Sequence, residues 1–146
     1  MRERRRNAMA VLTCSSAQEI ARHLEMLGPL PAYTELRAPE NGLVMLRGRI
    51  GGDGAPFNVG EATVTRCAVR LESGETGMGY VLGRDREKSR LIALFDALFQ
   101  REQQRNKLEE HVLAPILGRL KAERERDAQR IAATKVEFFT LVRGED

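Results

Sequence analysis

A glycine-rich segment, Gly51-Gly52-Asp53-Gly54, is the part of the sequence whose residue types most directly suggest ligand chemistry. Successive backbone N–H groups in such a loop can cradle a phosphate. The segment lacks the Lys-Ser/Thr ending of a P-loop, and strand-forming sequence stands on both sides of it, whereas a P-loop opens a helix. Turn formation explains the glycines equally well. Gly51 and Gly52 are therefore candidate phosphate contacts, with a plain turn as the alternative.

Four arginines occur at strand spacing on either side of this loop: Arg47, Arg49, Arg66 and Arg70. In a pleated strand Arg47 and Arg49 share one face, and so do Arg66 and Arg70. If the two faces coincide, the sheet carries a basic patch suited to bidentate contact with carboxylate or phosphate. A solvated face neutralised by nearby glutamates is the alternative. Nucleic acid is disfavoured, since almost no aromatic residues are available there for stacking on bases.

The remaining chemistry-bearing residues form no recognisable catalytic group. Cys67 falls in strand-forming sequence, where a small buried cysteine is ordinary. His23 and His111 have no neighbour that would make either a general base. Two cysteines and two histidines without close spacing cannot build a zinc site or hold an iron–sulfur cluster. We therefore predict no catalytic residue, no metal ligand and no cofactor bound by this chain.

Helical and strand patterns in the first part of the chain define the elements that would position these residues. Residues 4–13 are a candidate short helix, and an S-x-x-E capping box at residues 16–19 begins a helix that ends at Gly28-Pro29. Four strands are expected, at residues 33–38, 43–50, 59–71 and 80–82. Asn41-Gly42 is a hairpin signal between the first two. The short turns require an antiparallel meander.

After Asp85, which can cap a helix, the pattern becomes helical again. Its apolar stripe is interrupted by eight polar residues at 100–107, and Pro115 forces a bend. A straight helix over residues 85–114 would be about 45 Å long, more than a compact domain of this size spans, so it must bend, break or protrude. The pattern of residues 120–134 predicts another helix, which is highly charged.

The sequence near the C-terminus, residues 136–142, is typical of a strand with two apolar faces. Phe138 and Val142 lie on one face, and Phe139 and Leu141 on the other. Such a strand needs cover on both sides, from this chain's own sheet or from another subunit. These four side chains are candidate partner contacts. The predicted fold is α+β: N-terminal helices, a four-stranded antiparallel meander, long C-terminal helices and a terminal strand.

The net charge of +3 comes from residues 2–6, which contain four arginines and one glutamate. The rest of the chain is balanced. We expect residues 1–7 to be a disordered basic head and residues 8–146 a single α+β domain, with residues from about 100 to 146 used in assembly. The apolar stretch after the head is too short for a secretory signal, and no run could span a membrane. A cytoplasmic protein with reduced thiols is expected.

Four ordered blocks of the sequence resemble one known family. The blocks are residues 42–45 with 49–66, the run Gly79-Tyr80-Val81-Leu82-Gly83-Arg84-Asp85, the motif Leu94-x-Asp96-Ala97-Leu98, and residues 136–144. Together they look like the PhnG subunit of the bacterial carbon–phosphorus lyase system. The resemblance runs from about residue 8 to the C-terminus and leaves the arginine-rich head outside it.

The resemblance implies an accessory role in phosphonate catabolism. PhnG-like proteins join PhnH, PhnI and PhnJ in a core complex. With PhnI, PhnH and PhnL they support the transfer of an alkylphosphonate to the ribose of ATP with loss of adenine, giving ribose 1-methylphosphonate 5-triphosphate. The complex uses MgATP, nucleosidase chemistry is attributed to PhnI, and the iron–sulfur cluster and S-adenosylmethionine belong to PhnJ. A non-catalytic subunit that clamps PhnI with its exposed helices and terminal strand is the leading expectation.

Two other interpretations stay open. In the first, Arg47, Arg49, Arg66 and Arg70 act with the glycine loop to contact the triphosphate of the nucleotide directly. In the second, the chain is a small basic-faced module that binds nucleotides or nucleic acid. The balanced charge beyond the head weakens the nucleic-acid version, because binding to a polyanion depends on an excess of basic groups.

Overall fold

The computed structural model describes residues 2–134 as a layer of helices on one side of an antiparallel sheet. Its elements, in chain order, are helices α1 (Arg2–Thr13) and α2 (Ala17–Glu25), strands β1 (Tyr33–Arg49), β2 (Pro56–Leu71) and β3 (Thr76–Leu82), helices α3 (Arg86–Phe99) and α4 (Glu102–Leu108), a π-helical turn (Glu109–Leu113) and helix α5 (Ala114–Ala133). The α+β class, the N-terminal helices, the antiparallel sheet and the long C-terminal helix match the sequence prediction.

The sheet has the strand order β1-β2-β3, and its strands differ greatly in length. β1 and β2 pair from Tyr33↔Leu71 to Arg49↔Pro56. β3 pairs with β2 only from Val64↔Leu82 to Arg70↔Thr76. Beyond that point β1 and β2 continue as a two-stranded ribbon. We call residues 43–63, which form this ribbon and its turn, the β-arm.

The prediction of four strands was wrong, because the first two are one continuous strand. Asn41 and Gly42 do not turn the chain; they pair with Thr65 and Val64 of β2. The register shifts on either side of Arg37 accommodate Pro39, which has no N–H to donate and is tolerated on an edge strand. β2 is long enough to pair with the whole of β1, and this pairing overrides the local hairpin signal.

Helix α3 packs across one face of the sheet and forms the centre of the core. Two glycines of β3 allow a very close approach: a Cβ on Gly77 would lie 2.0 Å from the Ala93 carbonyl oxygen, and one on Gly79 would lie 1.8 Å from that of Ser89. Phe95 and Phe99 are fully buried, with ring centroids 5.5 Å apart. Within residues 2–134 all helices belong to this layer, so the opposite sheet face is open.

The expected break in the long C-terminal helix occurs in two places. α3 ends at Phe99 and α4 starts at Glu102, just where the polar stretch begins. The second irregularity is the π-helical turn, in which the Ala114 N–H donates to the Glu109 carbonyl. Pro115 follows immediately, and its missing N–H removes one α-helical hydrogen bond at this point. α5 then runs on for 20 residues, of which only Ile116 is buried.

The arginine-rich head is helical in the structure, which differs from the disordered segment expected. Residues 2–6 form the first turns of α1. The physical reason is a long-range ion pair between Arg5 and Asp96 of α3, which anchors the start of the helix. The predicted strand at residues 136–142, with Phe138, Phe139, Leu141 and Val142, lies outside the described residues.

Candidate assembly surface

Among residues 2–134, the least exposed charged residue is Asp96, at 1%. Arg5 Nε donates to its Oδ1 at 2.5 Å and Arg5 Nη2 to its Oδ2 at 2.6 Å, while the Met78 backbone N–H donates to Oδ2 at 2.8 Å. The hydrogen bond to Asp96 raises the pKa of Arg5. Both carboxylate oxygens are thus engaged in joining α1, α3 and β3, which is a structural role.

A second network joins α5 to α2. Arg119 donates to both carboxylate oxygens of Glu19, at 2.7 and 2.8 Å, and its remaining nitrogen donates to Glu123 at 2.8 Å. The hydrogen bond from Arg119 lowers the pKa of Glu19. Charge-assisted, bidentate pairing of this kind fixes the geometry of both groups. The network holds the first half of the otherwise exposed helix α5 against the domain.

The sheet face that points away from α3 is rich in exposed apolar side chains. On β3, Gly77, Gly79 and Val81 face the helix, so Met78, Tyr80 and Leu82 face outward and are 63%, 53% and 73% exposed. Such a row on an edge strand is unusual for a chain that works alone. We call this side of the sheet the open face.

The open face continues onto the β-arm past Val64, which is itself only 2% exposed. The ladder places Val44 and Leu46 on the same side as Leu82, through the pairs Gly42↔Val64 and Val64↔Leu82. Phe57 and Val59 also lie on this side, because a Cβ on Gly48 would meet both side chains. No residue from 43 to 63 is buried. The arm therefore presents an apolar surface to solvent along its whole length.

The arginines proposed as a basic patch do not share one face. Arg66 and Arg70 belong to the open face, whereas Arg47 and Arg49 alternate with Leu46 and lie on the other side of the arm. Arg66 Nε donates to Glu40 at 2.8 Å. Within residues 2–134, Arg47, Arg49 and Arg70 have no carboxylate oxygen within 4.0 Å of their guanidinium groups.

The glycine loop forms the tip of the β-arm and has the geometry of a turn. Gly51 and Gly52 have φ angles of +65° and +85°, in the left-handed region that favours glycine. Arg49 Nη1 donates to the Gly54 carbonyl at 3.3 Å. At about 3.3 Å per residue the strand separates this loop from Arg70 by roughly 45 Å. The loop and all four arginines therefore do not converge on one small ligand.

The predicted absence of a catalytic group was an inference from spacing, and the structure adds the environment of each residue. Burial raises the pKa of the Cys67 thiol, which reduces its thiolate fraction. His23 is buried in α2, and His111 is exposed in the π-helical turn. Among residues 2–134, no three His, Cys, Asp or Glu side chains are grouped as metal ligands would be. In the same part of the chain, no helix combines the length and apolarity needed to cross a bilayer.

Neither the Arg5–Asp96 pair nor the projection of the β-arm was predicted from the sequence. Asp96 was noted only as part of a motif, although a carboxylate within the apolar stripe of a helix signals a buried partner. Nothing local identified Arg5 as that partner, since the two are 91 positions apart. The hairpin around the glycine loop was predicted, as strands 43–50 and 59–71, but its projection beyond β3 as the β-arm was not, because a further turn was expected at Asn41-Gly42. The signal for the β-arm was the long alternating pattern on both sides of the glycine loop.

The fold and this surface define a small α+β protein with an exposed apolar sheet face of the kind that marks an interaction site. The family model of phosphonate metabolism protein PhnG matches residues 3–144. A protein of Rhizobium meliloti (strain 1021), alpha-D-ribose 1-methylphosphonate 5-triphosphate synthase subunit PhnG, is 47% identical over 142 residues, which cover 97% of this chain and 90% of that protein. The chain belongs to the PhnG family.

The family match confirms the resemblance and corrects its extent. It begins at residue 3, so Arg4, Arg5 and Arg6 of the arginine-rich head lie inside the match. This agrees with the structure, where Arg5 anchors α1 to the core. The helix that contains these arginines is thus joined to α3 by the Arg5–Asp96 pair.

Proposed function

We propose that the chain is an accessory, non-catalytic subunit of a carbon–phosphorus lyase complex. It acts with PhnI, PhnH and PhnL subunits in the transfer of an alkylphosphonate to the ribose of ATP, with loss of adenine and formation of ribose 1-methylphosphonate 5-triphosphate. The observation that carries this proposal is the 47% identity to a synthase subunit over nearly the whole chain. The open apolar face supports a role completed by other subunits.

The proposed division of labour places the chemistry on the partners. MgATP is bound and used by the complex, and the iron–sulfur cluster and S-adenosylmethionine belong to the PhnJ subunit. What supports this for the described part of the chain is the engagement of its buried groups. Both oxygens of Asp96 accept hydrogen bonds, and the Cys67 thiol is buried with a raised pKa. We place the assembly in the cytoplasm, where free thiols such as Cys14 and Cys67 stay reduced.

Reconstitution tests the proposed function. The remaining synthase subunits, purified together, are given MgATP and methylphosphonate with and without this chain, and formation of ribose 1-methylphosphonate 5-triphosphate is measured. We expect formation of this product to require the chain, and tagged chain to recover the other subunits in a pull-down. Product formation at the full rate in the absence of the chain would refute the proposal. Serum albumin at equal concentration controls for nonspecific stabilisation.

Direct contact with the nucleotide is a narrower, second proposal. It is favoured by Arg70, an exposed arginine on the open face without a carboxylate partner among residues 2–134. If Arg70 contacts the triphosphate, Arg70→Ala raises the apparent KM for ATP severalfold and leaves subunit recovery unchanged. Arg66→Ala is the matched control on the same strand, since Arg66 is already paired with Glu40. An unchanged KM in Arg70→Ala rejects this contact.

A further inference from the structure

The β-arm is the one extended part of the sheet that packs on no helix within residues 2–134. Its strands project about 25 Å beyond the last pair with β3, at about 3.3 Å per residue. Apolar side chains are exposed on both of its sides. Leu46 and Val59, on the open face, are 45% and 61% exposed, and Leu43 on the opposite side is 64% exposed. A two-stranded ribbon with nothing against either face is at best marginally stable in water.

The charges on the β-arm restrict the kind of partner surface that can cover it. The β-arm carries Arg47 and Arg49 against Asp53 and Glu61, so it has no net charge to attract a polyanion. Arg47 and Arg49 lie together on the side opposite the apolar open face, without carboxylates within 4.0 Å in the described chain. Guanidinium groups taken out of water need hydrogen-bond acceptors, and carboxylates match both their geometry and their charge. The occupant must therefore supply apolar surface on one side and carboxylates on the other.

The shape of the β-arm restricts the kind of partner surface further. A flat partner, or a second copy packed open face to open face, would cover Leu46 and Val59 and leave Leu43 and the two arginines in water. A cleft encloses both sides of a ribbon at once. Cover on both sides would also provide the packing that an isolated two-stranded ribbon lacks.

We propose that the β-arm inserts into an apolar cleft of another protein subunit whose rim carries carboxylates that pair with Arg47 and Arg49. Leu46, Phe57 and Val59 fill the cleft, and Gly48 leaves the space that the Val59 side chain occupies, since a Cβ there would lie 2.7 Å from Val59 Cγ2. This inference rests on the proposed function, in that the subunit is sought within the phosphonate complex.

The first test is photo-crosslinking in the assembled complex. Val59 is replaced by p-benzoylphenylalanine in tagged full-length chain, which is co-expressed with the other phosphonate subunits, purified and irradiated. We expect a crosslink to another subunit, with mass spectrometry locating it in a cleft that has Asp or Glu at its mouth. A crosslink to a second copy of this chain, a crosslink to residues 135–146 of the same chain, or no crosslink at all overturns the proposal.

The second test measures affinity. The double variant Leu46→Glu/Val59→Glu should weaken binding to the co-purified partner subunits by about 30-fold or more, as expected for central interface residues. Met26→Glu, an exposed apolar residue at the end of α2, is the matched control and should change affinity less than about threefold. Circular dichroism melting of each variant verifies the fold.

Charge reversal tests the carboxylate rim. Arg47→Glu/Arg49→Glu should lower affinity about tenfold at low salt, and the loss should shrink as salt screens the repulsion. Equal binding by wild type and both double variants overturns the arm proposal alone, because the chain still assembles. Wild-type chain that recovers no partner subunit refutes the proposed function itself, so the two failures are distinguishable.

Discussion

Asp96 is held in the core as a charged group by partners from two distant parts of the chain. Taking a carboxylate out of water costs several kcal/mol, and the attraction of Arg5 with the Met78 N–H offsets that cost. Removing one partner leaves the other without compensation. The stability of α3 therefore depends on α1 being in place, because the Arg5–Asp96 ion pair joins the two helices.

Loss of the Arg5 guanidinium should destabilise the chain strongly. We expect Arg5→Ala to lower the free energy of unfolding by about 2–3 kcal/mol, because Asp96 keeps one hydrogen bond but loses its counter-charge. Urea unfolding followed by circular dichroism measures this. Arg2→Ala, an exposed residue of the same helix, should stay within about 0.5 kcal/mol of wild type. Equal effects of the two variants would contradict the assigned role of Arg5.

The Glu19–Arg119 pair should make stability depend on acid pH. The pKa of Glu19 lies below its ordinary value of 4.5, so the folded state binds the proton less readily than the unfolded state does. Its contribution is complete above pH 4.5 and is lost as pH falls through the lowered pKa. The Tm of wild type should exceed that of Glu19→Gln at pH 7, and the difference should narrow below pH 4.5. Glu25 is exposed on α2, and the Tm difference between wild type and Glu25→Gln should not narrow in this way as the pH falls.

Individual residues show what local sequence can predict. The caps were predicted, and the structure has Ser16 accepting from the Glu19 N–H and Asp85 accepting from the Lys88 N–H. A cap depends on a side chain three residues from its donor, so the sequence contains all of it. The Arg5–Asp96 pair depends on tertiary packing, and residue spacing contains no trace of it.

At the level of elements, β3 and α3 are joined by an unusually close contact. The glycines of β3 replace side chains that would otherwise separate strand from helix. The motif that begins at Gly79 therefore has a packing explanation: the helix backbone occupies the volume of the missing Cβ. Outward-facing Tyr80 and Leu82, in the same motif, belong to the open face instead.

A methyl group at this contact should separate the two elements. We expect Gly79→Ala to destabilise the chain by about 3 kcal/mol, since the added Cβ would overlap the Ser89 carbonyl and backbone must move. Thermal unfolding measures the loss. Gly60→Ala, at a strand glycine where an added methyl group would meet nothing within 4 Å, is the control and should change stability by less than about 1 kcal/mol. A tolerated Gly79→Ala would show that α3 lies farther from the sheet.

The elements themselves were only partly predictable. Helix α2, the break after Phe99 and the irregularity before Pro115 follow from capping, polarity and the missing proline N–H. The fusion of two predicted strands into β1 does not. Asn41-Gly42 favours a hairpin locally, and only the length of β2 decides that the chain continues straight on.

Considered as a whole, the molecule has two surfaces of different character. Ion pairs such as Arg119–Glu19 join the helices of the helical layer, whereas the open face and the β-arm expose apolar side chains. The net charge of +3 says little about either surface, since it arises in residues 2–6 and Arg5 there is already paired. Assembly through apolar contact is the behaviour that this distribution supports.

The C-terminal residues provide a prediction for the whole assembly. We expect a chain ending at Thr134 to lose recovery of the partner subunits in a pull-down, because it lacks residues 136–142, whose sequence predicts a strand with two apolar faces. Matched full-length chain with Phe138→Ser/Phe139→Ser should show a smaller loss. Recovery of all partners by the shortened chain would show that this segment is not needed for assembly.

The Arg5–Asp96 pair also has a consequence for the order in which the protein is completed on the ribosome. Arg5 is synthesised 91 residues before Asp96, a delay of roughly 5–20 s at about 5–20 residues per second. Throughout that interval the first helix has no α3 to pack against. The β1–β2 hairpin can form in the meantime. The first helix to be made can therefore dock on α3 only after residues up to Asp96 have been synthesised.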